Sequence, residues 1–214
     1  KPMGRYGIRM IKRLFLFFLF LLSVTAQSAI FGDGNPHNGV EDQRKNAPKK
    51  LLRSVGTIFC DGGLRGTATH IKTALRQDRS IILTAAHVLF DQKTGALFQQ
   101  CHYRPENRRL GGIGFAAISK HQYNPASKNK IRQAETDIVF VALKKKAYQK
   151  SLNLAKPNNT VINTIQLLGY NADSQTISLS DNCTGFESGS FVSEQLLLHN
   201  CDAHSGASGG PIIS

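Results

Sequence analysis

From Leu51 onward, short apolar stretches alternate with turn residues along the chain. Stretches of this length, bounded by Gly, Pro, Asn and Asp, are typical of β-strands. The candidate strands are Ser54–Cys60, Gly66–Lys72, Ser80–Thr84, Ile113–Ile118, Asp137–Leu143, Val161–Gly169, Thr176–Leu179 and Ser190–Leu198. Only the stretch around Lys145–Leu154 also fits an amphipathic helix. The spacing predicts an all-β fold, an antiparallel sandwich or barrel.

The first 29 residues have the pattern of a secretory signal peptide. Basic residues precede an unbroken apolar run, Leu14–Leu22, and small residues follow it up to Ala29. A membrane-spanning helix needs about 20 apolar residues, and the run Leu14–Leu22 is much shorter, so we expect no stable membrane anchor. The small residues that follow the run predict cleavage after Ser28 or Ala26. The polar stretch Gly32–Lys50 then predicts an extended N-terminal arm with no core of its own.

The chain is strongly basic, with a formal net charge of +13 at pH 7. Its lysine runs have no interleaved aromatic residues and match no nucleic-acid-binding motif. We therefore interpret the charge as a solvated basic surface and expect no specific nucleic-acid partner. A polyanion-binding exported protein is the alternative that charge alone leaves open.

Four cysteines, Cys60, Cys101, Cys183 and Cys201, permit three disulfide pairings. Because two of them fall in each half of the mature chain, we favour Cys60–Cys101 and Cys183–Cys201, formed in an oxidising compartment. Cysteine and histidine lie close together at Cys101-His102 and at Cys201-x-x-His204, which would suit a metal site, but no paired Cys-x-x-Cys spacing supports zinc. We expect disulfides, with no metal and no other cofactor.

A nucleophile motif lies near the C-terminus, in Gly206-Ala207-Ser208-Gly209-Gly210-Pro211. A serine hydroxyl needs a base to remove its proton, and the oxyanion that forms needs preorganised donors. A glycine two residues before the serine lets the backbone turn so that the N–H groups of Gly206 and Ser208 converge. Gly/Ser-rich turns are common, so this motif alone leaves an ordinary turn equally open.

A candidate base and its partner precede this motif. His87 follows the apolar strand at Ile81–Thr84, where a rigid element could hold the ring in one tautomer. Asp137 heads the apolar stretch Ile138–Val141, where a partly buried carboxylate needs a hydrogen-bond partner such as an imidazole N–H.

In the order His87, Asp137, Ser208, these segments resemble the trypsin/chymotrypsin-like serine peptidase superfamily over nearly all of residues 51–214. The arm residues 29–33 and Cys201-Asp202 are similar to the exported bacterial branch, which includes glutamyl endopeptidases. The resemblance implies Ser208 as nucleophile, His87 as general base and acid, and Asp137 as the residue that orients His87. It implies an oxyanion hole at Gly206 and Ser208.

The same resemblance implies two antiparallel six-stranded β-barrels of chymotrypsin-like type. The expected domains are residues 30–150, the arm and first barrel, and residues 151–214, a second barrel that is incomplete because the sequence stops soon after Pro211. Ala207 replaces the aspartate that precedes the serine in trypsin, so we do not expect trypsin-style activation.

Substrate specificity is assigned to Asp202, six residues before the serine, where trypsin carries the carboxylate that selects Lys or Arg. A Cys-Asp pair also occurs at this position in bacterial relatives with other preferences, so both possibilities stay open. We expect a secreted or periplasmic, monomeric serine endopeptidase that acts on proteins or peptides through an acyl-enzyme. The alternative is a catalytically inactive, peptidase-like binding module.

Overall fold

The computed structural model describes residues 42–73, 78–106, 111–155, 164–187, 193 and 195–214. The predicted signal peptide lies outside these residues. Six strands form a closed barrel: β2 (Val55–Cys60), β3 (Gly63–Ile71), β4 (Ile81–Thr84), β5 (His102–Pro105), β6 (Ile113–Ile118) and β7 (Val139–Leu143). Neighbours are antiparallel in the order β2-β3-β4-β7-β6-β5, and β5 closes back onto β2. The all-β prediction is confirmed.

Side chains alternate between the core and the surface along some barrel strands, whereas β2 and the second half of β3 are buried almost continuously. In β7, Val139, Val141 and Leu143 are fully buried while Phe140 lies on the outside. Register shifts between β2 and β3 at Ile58 and between β6 and β7 at Phe115 bend the strands, as barrel closure requires.

The second half of the chain and one strand of the N-terminal arm form an open sheet. A four-stranded antiparallel sheet has the order β1-β9-β8-β12, built from β1 (Arg44–Asn46), β8 (Ile165–Asn171), β9 (Thr176–Cys183) and β12 (Ile212–Ile213). A separate hairpin joins β10 (Gly185–Glu187) to β11 (Leu197–His199). A partial second sheet therefore follows a complete barrel.

The described part of the arm packs against the second sheet. Its described part supplies β1, which pairs with β9, and a short helix, α1 (Lys49–Leu52). Ala47, Leu51 and Leu52 pack against a core that includes Val55 and Leu168. Ala47 of the arm and the two residues that follow the arm, Leu51 and Leu52, thus share the core of the second sheet, because the sheet covers these apolar side chains.

Two further findings concern helices and disulfides. A second helix, α2 (Lys130–Glu135), has no apolar stripe and was not predicted, whereas residues 145–154 form no helix. Disulfides join Cys60 to Cys101 and Cys183 to Cys201, which confirms the predicted pairing. Within the described ranges, neither helix has the length and apolar character needed to cross a bilayer.

Candidate active site

His87 projects from the barrel wall immediately after β4. It lies in a 3₁₀ turn, Ala86–Val88, whose other two residues and the following Leu89 are buried in the barrel core. Packing on both sides fixes the backbone, while about a third of the imidazole side chain (34%) stays exposed. The local sequence therefore places the imidazole of His87 at the surface of the barrel, on a backbone that its buried neighbours hold in place.

Asp137 lies where α2 leads into β7, and its N–H donates to the carbonyl oxygen of Ala134 (3.2 Å). Its carboxylate contacts His87 twice. Oδ1 accepts from the backbone N–H of His87 (2.7 Å), and Oδ2 lies 2.5 Å from Nδ1 of the ring. Because Nδ1–H donates to the carboxylate, a neutral ring carries its free lone pair on Nε2. The two predicted partners are thus brought together.

Ser208 lies in a loop that is held through its carbonyl groups. Five consecutive carbonyl groups, those of residues 204 to 208, each accept a hydrogen bond. Their donors, in the same order, are Ala207 N, Ala172 N, Thr67 Oγ1, Gly210 N and Thr67 N. Within the described part of the chain, neither the N–H of Gly206 nor that of Ser208 donates to a protein acceptor. The loop therefore leaves these two donors available to an anion.

Two glycines in this loop occupy the left-handed region that disfavours other residues. Gly206 has φ of +100° and Gly209 has φ of +82°. A Cβ atom at Gly209 would lie 2.9 Å from the backbone nitrogen of Ala85. The loop thus packs backbone to backbone against the segment that precedes His87.

Thr67, on β3, joins the loop to the barrel. Its N–H and Oγ1 donate to the carbonyls of Ser208 and Gly206 (both 2.8 Å), while Oγ1 accepts from Tyr170 N (2.8 Å). Its own carbonyl accepts from Thr84 Oγ1 (2.7 Å), on the strand that leads to His87. A short hydrogen-bonded path therefore connects the histidine strand with the serine loop.

A cavity of about 520 Å³ contains both His87 and Ser208 on its lining. The described structure has no hydrogen bond between Nε2 of His87 and Oγ of Ser208. The lining takes Arg65 and His87 from the barrel and Leu167 and Ile212 from the second sheet, so the cavity lies between the two.

Asp202 lies away from this cavity lining. Its side chain is buried, with 4% of the residue exposed, and Oδ2 accepts from the backbone N–H of Gln43 in the arm (2.7 Å). Its own N–H donates to Ser180 Oγ (2.9 Å). The carboxylate that the sequence suggested for specificity is therefore engaged with the N-terminal arm.

Sequence reasoning missed several residues of this region. Arg65, His199 and His204 line the cavity with His87 and Ser208. Burial lowers the pKa of His199, and its Nδ1 accepts from Cys201 N (3.1 Å), so a neutral ring is favoured. No local motif marked Arg65 or His199, because only tertiary packing brings β3 and β11 to the serine loop, and His204 was considered only as a metal ligand.

Comparisons with known proteins agree with this arrangement. The family model for the trypsin-like peptidase domain matches residues 66–214. No curated protein has a sequence significantly similar to the chain.

Three solved structures are similar in fold. A Glu endopeptidase in complex with MPD is 14% identical, with 81% of this chain and 80% of that one covered and a TM-score of 0.57. Neuropsin, a serine protease of mouse brain, is 16% identical (80% and 81% covered, TM-score 0.59). Human heparin binding protein is 14% identical (79% and 78% covered, TM-score 0.58). At these identities the similarity establishes the fold, which is chymotrypsin-like.

Proposed function

The chain belongs to the trypsin-like peptidase domain family, and on that premise we propose that it is a secreted serine endopeptidase with His87, Asp137 and Ser208 as its catalytic triad. One observation carries the proposal. The Asp137 carboxylate holds His87 through Nδ1 and the backbone N–H, while His87 and Ser208 line one cavity. Family membership implies protein substrates, and we propose that a single chain suffices to hydrolyse them.

The proposed reaction is acyl transfer. Ser208 Oγ attacks the carbonyl carbon of the scissile peptide bond as Nε2 of His87 accepts its proton. Asp137 stabilises the imidazolium ion that forms. The N–H groups of Gly206 and Ser208 donate to the oxyanion, and the five accepting carbonyls of the loop support this role because they fix the direction of those amides.

The tetrahedral intermediate then collapses. His87 donates its proton to the leaving amine, the C–N bond breaks, and the acyl group stays on Ser208 as an ester. A water molecule next loses a proton to His87 and attacks the ester carbonyl. The carboxylic acid product leaves as Ser208 regains its proton, so the enzyme is restored and one water is consumed for each bond cleaved.

Secretion is supported by the two disulfides, since such bonds persist in oxidising compartments. We propose cleavage of the signal peptide after Ser28 or Ala26. Mass spectrometry of the exported protein checks this directly. A mature N-terminus elsewhere, or recovery of the protein only inside the cell, would contradict the localisation.

Labelling by a fluorophosphonate probe tests the proposed chemistry, because the probe phosphonylates only an activated serine. We expect labelling of the unmodified protein at Ser208 and none in Ser208→Ala or His87→Ala. Asp137→Asn should lower kcat for peptide hydrolysis by about 10⁴-fold because it removes the acceptor that fixes the ring. Ser151→Ala serves as control, since Ser151 is exposed and outside the site. An unlabelled but folded protein would instead support a peptidase-like binding module.

A further inference from the structure

The cavity around Ser208 has basic but no acidic side chains among its described lining residues. Its ionisable groups are Arg65, His87, His199 and His204. Asp202, which precedes the serine loop, is buried and accepts a hydrogen bond from Gln43 N. His87 and His204 face the carboxylates of Asp137 and Asp173. A neutral ring is favoured for His199, so Arg65 supplies the positive charge of the lining. Because such a charge attracts negative charge, the cavity favours a substrate that carries a carboxylate near the scissile bond.

Arg65 is the permanent cation of this lining. Its Cζ atom lies 3.8 Å above the centroid of the Phe98 ring, and Nε donates to the carbonyl oxygen of Cys60 (3.3 Å). These contacts fix the guanidinium plane. In the described structure it makes no ion pair with a carboxylate, and its terminal nitrogens donate to no protein acceptor. A fixed guanidinium with open N–H groups suits a carboxylate.

The position of Arg65 indicates which part of a substrate it meets. A Cβ atom at the next residue, Gly66, would lie 2.6 Å from Cγ2 of Val88 and 2.9 Å from the carbonyl oxygen of Ser208. Arg65 therefore lies on the barrel wall of the cavity, the wall that also carries His87, and next to the serine loop. In the proposed function, on which this step rests, His87 donates its proton to the leaving amine, so the leaving segment also lies on this side.

We infer that Arg65 is a specificity residue that binds an Asp or Glu side chain of the substrate, at the first or second position after the scissile bond. Such a contact is a partly exposed, charge-assisted pair. It favours acidic over neutral residues by about five- to tenfold in kcat/KM. The preference concerns the leaving segment and is independent of which residue precedes the cleaved bond.

Digestion of a mixed peptide library, followed by mass-spectrometric mapping of cleavage sites, tests the inference whichever bond the enzyme prefers to cleave. We expect Asp and Glu to be enriched about five- to tenfold after the bonds that the unmodified protein cleaves. Arg65→Gln should abolish the enrichment while the preference before the bond is unchanged, and Arg65→Lys should retain part of it. Arg104→Gln, an exposed β5 arginine outside the cavity, serves as control.

Measurements on the unmodified protein cover the case in which Arg65→Gln fails to fold. An electrostatic contact weakens with salt, so the acidic enrichment should fall as ionic strength rises. Cleavage without enrichment, enrichment that persists in Arg65→Gln, or enrichment insensitive to salt would each overturn the inference. Absence of both cleavage and fluorophosphonate labelling would refute the proposed function itself.

Discussion

Arg44 ties the N-terminal arm to the turn between β8 and β9, and its removal should destabilise the fold. One terminal nitrogen of Arg44 lies 2.6 Å from Oδ2 of both Asp42 and Asp173, and the other lies 3.0 Å from Oδ1 of Asp173. Only 9% of the arginine side chain is exposed, compared with 31% and 34% for the two carboxylates. The pairs are thus partly screened by solvent. We expect Arg44→Met to lower the free energy of unfolding by about 1–2 kcal/mol at pH 7.

The stability lost in Arg44→Met should depend on pH, and the pKa of Asp173 determines whether this loss grows or shrinks in acid. The hydrogen bond from Arg44 is the main cause that lowers this pKa from 3.8 to about 2. Folding therefore favours the ionised carboxylate, and this contribution is complete above about pH 4. It disappears as the pH falls from about 4 to about 2. After allowance for solvent screening it amounts to about 1 kcal/mol, so the variant and the unmodified protein should converge in stability in acid.

Urea unfolding followed by far-UV circular dichroism measures this effect, because the chain has no tryptophan to report by fluorescence. Curves at pH 7 and at pH 2.5 are compared for the unmodified protein, Arg44→Met and Arg104→Met. Arg104 is exposed, so its substitution should change little at either pH. A deficit in Arg44→Met that is equally large at both pH values, or no deficit at pH 7, would refute the electrostatic account.

Three further changes test the disulfide of the barrel and the contacts of the serine loop. Removing the Cys60–Cys101 disulfide, whose cysteines are 41 residues apart, should lower the free energy of unfolding by about 4 kcal/mol. Urea unfolding of the double alanine variant measures this loss, and an unchanged midpoint would contradict the prediction. Gly209→Ala places a methyl group against Ala85 N at positive φ and should cost about 2–4 kcal/mol in the same assay. Thr67→Val removes the hydrogen bonds of Oγ1 to the serine loop and to β8. It should cost about 1–3 kcal/mol and slow fluorophosphonate labelling, whereas Thr67→Ser should behave like the unmodified protein.

The sequence predicted the strands in which apolar and polar side chains alternate or in which apolar side chains follow one another. Ile113–Ile118 coincides with β6, and most other barrel strands are within three residues of their predicted bounds. Strand β5 was missed because His102-Tyr103-Arg104-Pro105 mixes charge and proline with a single buried aromatic, Tyr103. Strand β1 was missed because an edge strand made of Arg, Lys and Asn carries no apolar signal.

Sequence motifs identified some residues of the candidate site and not others. His87 and Asp137 were proposed from motifs, and the structure places them in direct contact. The roles of Thr67 and Arg65 could not be proposed from motifs. The sequence around a polar residue on a strand does not show which residues of the other sheet or of a distant loop it contacts in the folded protein. Asp202 shows the converse: counting residues gave its position in the chain but not the arm that contacts its carboxylate.

The barrel is closed, whereas the sheet beside the serine loop is open and includes the two-residue strand β12. Each barrel strand is hydrogen-bonded to two neighbours. On gentle warming the barrel should therefore keep its backbone hydrogen bonds longest. Because Thr67 of this barrel anchors the serine loop, the loop should re-form on cooling as long as the barrel has stayed intact.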